Sequence, residues 1–369
     1  MDKKIFIYIF ILLSPALAAI EPVSPKKIEL PPKPEIELTV DIAEKIETAQ
    51  EVKPGTIGEM NDYWGEKKSE YYGGLEIDEK NGVRYIEPLT AEQLKNRKYY
   101  EHIYYGKMLA EINYRDENGN LQNDEINEAA IIKQKYDKNG NLVEETAYNP
   151  DGTLKKDWYG FAIYRWEYDA QKTRIKGAFY DEKGVLTKKR FSETAINTWM
   201  YDDKGNMVFW ANYNTNGDLA KDILGVAVTK YRYDDKKRLI LTATYGTDRK
   251  LLNNKYGYAV TTKTYNDKDN SILVARYDHE MKSVKIEHGY FILEISDVDG
   301  KWNESAFYDA DGNLQENQEG AAIIVNYRNE TDKLQRQALF NKNKKLIGEW
   351  ELDIESGKWH QSDLKKSND

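Results

Sequence analysis

Two tyrosine series run through this chain at a nearly constant step. Tyr136, Tyr168, Tyr201, Tyr233 and Tyr265 are separated by 32, 33, 32 and 32 residues, and Tyr148, Tyr180, Tyr213, Tyr245, Tyr277 and Tyr308 by 32, 33, 32, 32 and 31. A period of that size marks one supersecondary unit used again and again, whose copies must stack to hide their apolar faces. Copies begin at Glu128, Gly160, Glu193, Gly225 and Gly257, degenerate ones at Gly289 and Gly320, and a partial one ends in YRDENGNL before Glu128.

Each copy holds two runs of alternating character. Ala162, Tyr164, Trp166 and Tyr168 share one parity in the first run, and Met207, Phe209, Ala211 and Tyr213 share one in the second. Period two with aromatic and β-branched content specifies strands. The runs are joined by DKNG at 137–140 or DDKG at 202–205, and followed by NPDG at 149–152, DEKG at 181–184 or NTNG at 214–217. Asp or Asn first and Gly fourth suits a type I turn closed by a left-handed bulge residue.

The expected fold is therefore all-β: tandem antiparallel hairpins of about 32 residues. Seven copies make some 14 strands, and an open twisted sheet of that size is expected to coil or become superhelical. The hairpins span 106–350. An atypical hairpin and a short helix at 91–98, opened by a Thr90–Gln93 capping box, form an N-terminal cap over 58–105. A C-terminal cap and frayed tail occupy 351–369.

The recurring Tyr-Asp-x-x-Gly turns, and KYRYDDKKRL from Lys230 to Leu239 in particular, resemble the tyrosine-aspartate repeats of bacterial Rhs-like proteins. They are similar as well to exported bacterial proteins with G-x-A…Y-x-YD-x-x-G-N hairpin repeats, in the style of MORN-like and WG-like arrays. The resemblance covers about two thirds of the chain and implies a hairpin-repeat scaffold with no assigned activity.

The N-terminus states an address. MDKK, the apolar run from Ile5 to Leu13, Pro15, and the small residues Ala16 and Ala18 follow the layout of a secretory signal peptide over 1–19. Nine apolar residues are too few to span a bilayer, which takes about 20. Cleavage near Ala18 or Ala19 leaves no transmembrane span and a periplasmic or secreted protein. Residues 20–57 carry six of the nine prolines and read as a largely disordered tether. Zero cysteines exclude disulfides and thiolate chemistry, and a net charge of −9 argues against nucleic acid as partner.

Chemical constellations are sparse. DADGN at 309–313 and DVDG at 297–300 look like calcium loops, but the same slots elsewhere hold Lys183 and Lys204, so they read as turns. Glu144 and Glu145 are consecutive on a strand and point to opposite faces. His279 and His288 can meet across a hairpin but lack a third ligand. No catalytic, cofactor or metal residues are assigned, and the chain reads as a non-enzyme. Trp166, Trp199 and Tyr231 are expected in the core. Phe179, Trp210 and Phe307, on the other parity, are the candidate ligand-facing rings. The expected function is an exported binding or scaffolding module for a protein or glycan partner of the bacterial envelope. The alternative is an envelope-polymer binding protein or hydrolase, acting on glycan or peptidoglycan.

Overall fold

The computed structural model describes residues 22–42, 65–78, 82–268, 270–285, 289, 291–296, 302–328, 334–352 and 359–361. The signal segment 1–19, His288, the DVDG loop at 297–300 and the tail from 362 lie outside the described residues. Among those described, no helix is long and apolar enough to cross a membrane.

The described chain is all-β, with twenty strands and a single one-turn 3-10 segment, Ala91–Leu94, where the sequence suggests a helix over 91–98. The expected Thr90–Gln93 capping box is present, with the Thr90 amide donating to Gln93 Oε1 at 2.8 Å. The helix stops early because Lys95 returns to extended backbone and Asn96 takes a positive φ of 56°.

Every described strand pairing is antiparallel. In the unit formed by Lys33–Thr262 and Arg276–Val284, the first strands are β1 (Lys67–Asp78), β2 (Gly82–Leu89), β3 (Tyr99–Tyr105) and β4 (Met108–Arg115). Strand β1 lies between β2 and β3, and from β3 the chain meanders. Hairpins follow in β5 (Ile131–Tyr136) and β6 (Leu142–Tyr148), then β7 (Ile163–Tyr168) and β8 (Arg174–Tyr180). Next come β9 (Ile196–Tyr201) and β10 (Met207–Tyr213), then β11 (Val228–Tyr233) and β12 (Leu239–Tyr245). The strands β13 (Val260–Asn266) and β14 (Ser271–Tyr277) give residues to both units. The other unit, Met1–Pro32, Lys263–Ala275 and Lys285–Asp369, holds β15 (Phe291–Ser296), β16 (Trp302–Tyr308), β17 (Ile323–Arg328), β18 (Leu334–Phe340), β19 (Leu346–Leu352) and β20 (Trp359–Gln361). The strands β5 to β18 are the fourteen that the repeat foretells, and β19 with β20 supplies the closing hairpin.

Small and large residues divide the core. Ala178, Ala211, Ala243 and Ala306 are buried on second strands, as are Tyr180, Tyr213, Tyr245 and Tyr308 two positions later. The turns work as their composition requires. Asp137 Oδ1 accepts from the amides of Asn139 and Asn141 at 2.8 and 2.9 Å, and Gly140 closes the turn with φ 84°. Asp309 does the same for Asp311 and Asn313, so the acid of the DADGN loop serves the backbone.

Two features differ from the sequence reading. The connectors that lead into four of the copies contain a third turn of the same build: Gly160 N donates to Asp157 O and Asp157 N to Phe161 O, and 222–226, 254–258 and 317–321 repeat it. Residues 22–42, expected to be part of a free tether, are docked. In the smaller unit Ile28 N donates to Gly312 O, Leu314 N to Lys26 O, and Tyr308 Oη to Pro25 O. In the larger unit Val40 N donates to Arg249 O, Leu251 N to Leu38 O and Tyr245 Oη to Glu37 O, while Lys230 pairs with the Glu37 carboxylate. Proline holds such a segment extended and removes its own donor, but leaves every carbonyl free to accept.

Candidate functional site

A ring-lined cleft of about 510 Å³ opens on the face of β5 to β8 in the larger unit. Its floor is one cross-strand row: Gln134 opposes Glu145, Glu145 opposes Tyr164, and Tyr164 opposes Phe179. Directly opposed residues of antiparallel strands project to one side, so four strands bring four chemistries together. The third turn of the preceding copy, through Asp157, Tyr159 and Phe161, forms a wall.

The rings are packed against one another. Tyr164 stacks on Phe179 with centroids 4.3 Å apart and 29° between planes, and it meets Trp166 at 4.1 Å. Phe161 approaches Phe179 at 4.7 Å. Tyr164 has room to lie this way because Gly177, opposite Trp166, has no side chain. A Cβ there would stand 2.8 Å from both Cε2 and Oη of Tyr164. The Arg174 guanidinium lies 4.9 Å from the Trp166 ring and Lys189 Nζ 4.4 Å from the Phe179 ring.

Polar groups converge on the same space. Burial raises the Glu145 carboxyl above its ordinary range, against a 2.7 Å hydrogen bond from Gln134 Nε2 and the charge of Arg174. Burial likewise pushes Asp157 up to about 6, opposed by the amides of Phe161, Tyr159 and Gly160 and helped by the Glu145 charge. Lys189 is lowered by burial, with Asp222 opposing. The indole N–H of Trp166 is sealed from water and makes no hydrogen bond of acceptable geometry, although the Tyr164 hydroxyl is near enough to feel it. A buried donor left this way is costly to the fold, and what a water cannot reach a ligand oxygen cannot reach either.

Glu144 and Glu145 do face opposite ways. Glu144 is buried on the far side between Lys135 and Arg165. Burial would raise its carboxyl, but hydrogen bonds from those two cations outweigh that and hold it below the usual range. The carboxylate that approaches Glu145 is Asp157, twelve residues along and in a different element. Sequence reasoning missed this pair because the Asp157 turn reads as a plain connector. The available signal was Glu145 itself, whose slot holds Gly177, Trp210 and Thr242 in the next copies.

The ring assignments need correction. Phe179 and Phe307 are 1% and 3% exposed, whereas Trp210 is 36% exposed. Trp210 lies directly opposite Trp199, with centroids 6.4 Å apart, and so shares the face expected to be core. Trp166 is buried, but Trp199 and Tyr231 are only partly so. For Phe179 and Trp210 the cause is register: their hairpins each carry a bulge near the turn, between Glu167 and Tyr168 and between Met207 and Phe209, which offsets parity between the two strands. Phe179 still lines the cleft, with its outer face covered by Phe161 and Lys189. His279 is exposed. Among the described residues no group of His, Cys, Asp and Glu is placed to hold a metal ion.

No family model and no curated protein matches the chain. Among solved structures it is similar to a TcdB2–TccC3 crystal structure, at 11% identity and a TM-score of 0.24, over 79% of this chain and 17% of that one. It is similar to a Tc holotoxin pore from Photorhabdus luminescens at 12% identity and a TM-score of 0.23, over 72% and 15% of the two chains. A protein of unknown function from Bacteroides fragilis matches at 9% identity and a TM-score of 0.16, over 36% of this chain and 88% of that one. The chain spans about a sixth of the length of the first of these. The reading of the site rests on its own residues.

Proposed function

We propose that the protein is an exported, non-enzymatic repeat scaffold of the bacterial envelope or its surroundings that holds an envelope glycan by a sugar residue in the ring-lined cleft. The observation that carries this reading is the stacked pair of Tyr159 and Phe161, with Tyr164 beside it, lining a cleft that also holds Glu145, Asp157 and Gln134. The exposed Tyr159 and partly exposed Phe161 and Tyr164 rings accept the C–H face of a sugar, while Glu145, Asp157 and Gln134 offer acceptors and donors to its hydroxyls. The layout at 1–19 supports export. Titration of cell-wall glycan fragments against tryptophan fluorescence tests the reading. Saturable quenching that a Glu145→Gln variant weakens about tenfold is expected. No quenching by any fragment refutes it.

A second reading has one specific observation behind it: two carboxyl groups with raised pKa share the cleft, as in a glycoside hydrolase. The binding reading is stronger because Asp157 is held by turn amides, in a slot that elsewhere holds Asp222, Asn254 and Asn317 in the same role. Release of reducing ends from the bound glycan, abolished by Asp157→Asn, would reverse that order.

A further inference from the structure

The third turns of successive copies stand side by side in the larger unit and are hydrogen-bonded to one another. Trp158 N donates to Asn127 O, Arg190 N to Tyr159 O, Glu193 N to Lys221 O and Lys255 N to Leu224 O. The groove along them measures about 740 Å³ and is lined by six cations, Lys156, Lys188, Lys189, Arg190, Lys221 and Lys255, against two acids, Glu193 and Asp222. That is a net positive strip on a chain whose total charge is −9. Asp222 is occupied by the Leu224 and Val226 amides, so it offsets the strip less than a free carboxylate would.

The cations are not a loose solvated fringe. Arg190 is fixed by both Glu128 oxygens at 3.2 and 3.3 Å and lies 5.1 Å from the Trp158 ring. Lys255 lies 5.2 Å from the Tyr256 ring. The exposed Lys188 and Lys221 have no ion-pair partner among the described residues. Between the charges the turn tips present Trp158, Tyr159, Phe191, Ile223 and Tyr256, with Phe191 69% exposed. Charge and apolar tip thus recur once per copy, and each copy advances the sheet by two strands, about 10 Å.

The geometry points to an acidic polysaccharide strand lying across the third turns, one anionic group per disaccharide. An extended disaccharide is close to the advance of one copy, so successive carboxylates meet successive lysines while the sugar faces rest on the turn tips. Lys189 lines both this groove and the cleft, but Lys188 and Lys221 line the groove and not the cleft, and the inference stands without the cleft's role.

Hyaluronate oligosaccharides, with one carboxylate per disaccharide, are the probe, titrated calorimetrically into the full chain at low salt with dextran and oligothymidylate as comparators. Saturable binding is expected, weakening steeply as salt is raised. Lys188→Gln with Lys221→Gln should reduce affinity about tenfold or more with an unchanged melting curve, since both side chains are exposed. Phe191→Ala should weaken binding without altering its salt dependence. Glu145→Gln, in the cleft, should leave it intact, which separates failure here from failure of the cleft reading. Absence of binding at low salt, a double variant that binds as the parent does, equal binding of dextran, or preference for oligothymidylate would each overturn the inference.

Discussion

Gly177→Ala offers a test of the cleft in which two effects of one methyl group oppose each other. In an extended segment, replacing glycine by alanine reduces the freedom of the unfolded chain and stabilises the native state by about 0.5–1 kcal/mol where space allows. At Gly177 space does not allow it, since the new Cβ would stand 2.8 Å from two Tyr164 atoms and 3.1 Å from Trp199. Tyr164 cannot yield freely because it is stacked on Phe179 and abuts Trp166. Overpacking of this kind costs about 1–3 kcal/mol, so the net expectation is a loss of about 1–2 kcal/mol. In a unit of this size that lowers Tm by about 2–8 °C. Gly74→Ala is the internal control, for its Cβ would meet only Ile86 at 3.5 Å, an ordinary contact, and the entropic gain should prevail. Melting followed by tryptophan emission reads both stability and the surroundings of Trp166 and Trp199. An unchanged Tm and spectrum for Gly177→Ala, or equal behaviour of the two variants, would refute the account of why Tyr164 lies where it does.

Further outcomes follow from groups elsewhere. His102, buried between Tyr72 and Tyr85, is pushed down to about 4 by burial, with Glu70 opposing. The unfolded state therefore takes the proton first, and about 2 kcal/mol of stability, after discounting for screening, should be lost as pH falls from about 6.5 to 4. Asp157, raised to about 6, acts in the opposite sense, so the difference in urea midpoint between parent and His102→Phe isolates the histidine; parallel pH profiles would sink the claim. Glu144→Ala leaves Lys135 and Arg165 facing each other without their carboxylate, and because both cations keep contact with water it should cost about 1–3 kcal/mol by denaturant melting. Glu304→Ala removes the acceptor of the Val23 and Ser24 amides, at 2.9 and 2.7 Å, and should speed hydrogen exchange at the Ile28 amide, which donates to Gly312 O. Unaltered protection there would mean that the N-terminal segment is held by its other bonds.

The hairpins were legible because two independent signals coincide in every copy: alternation along the strand, and an Asp or Asn whose side chain satisfies the amides of its own turn. Nothing comparable announced the docked segment 22–42. Its prolines lack amides, which reads as a tether, yet docking uses carbonyls such as Pro25 O and backbone groups of Leu38 and Val40 that sequence does not distinguish. The third turn was obscured because its tip residues are apolar and because Glu128 and Phe191 occupy left-handed positions that elsewhere fall to glycine. The facing of Trp210 and Phe179 was misjudged for a different reason. Parity is secure within a strand, but carrying it across a hairpin requires the bulge, and a bulge is one residue among many plausible ones.

A repeat explains its own conserved slots and therefore conceals function in them; what it cannot explain is a copy that departs from the others. The copies that meet at the cleft depart in concert. Glu145 stands in a slot that otherwise holds Gly177, Trp210 and Thr242, Phe161 in one that holds Thr194, Val226 and Tyr258, and Lys189 where the third turn elsewhere begins with Asp157, Asp222 or Asn254. Each change is unfavourable or neutral for stacking hairpins. An extra carboxylate is buried and a lysine is desolvated. Glu145, Phe161 and Lys189 all line one cavity. Random drift would scatter such costs along the array, whereas selection for a ligand gathers them in one place. Restoring these positions to the pattern of their neighbours should thus raise stability while emptying the cleft of its binding capacity.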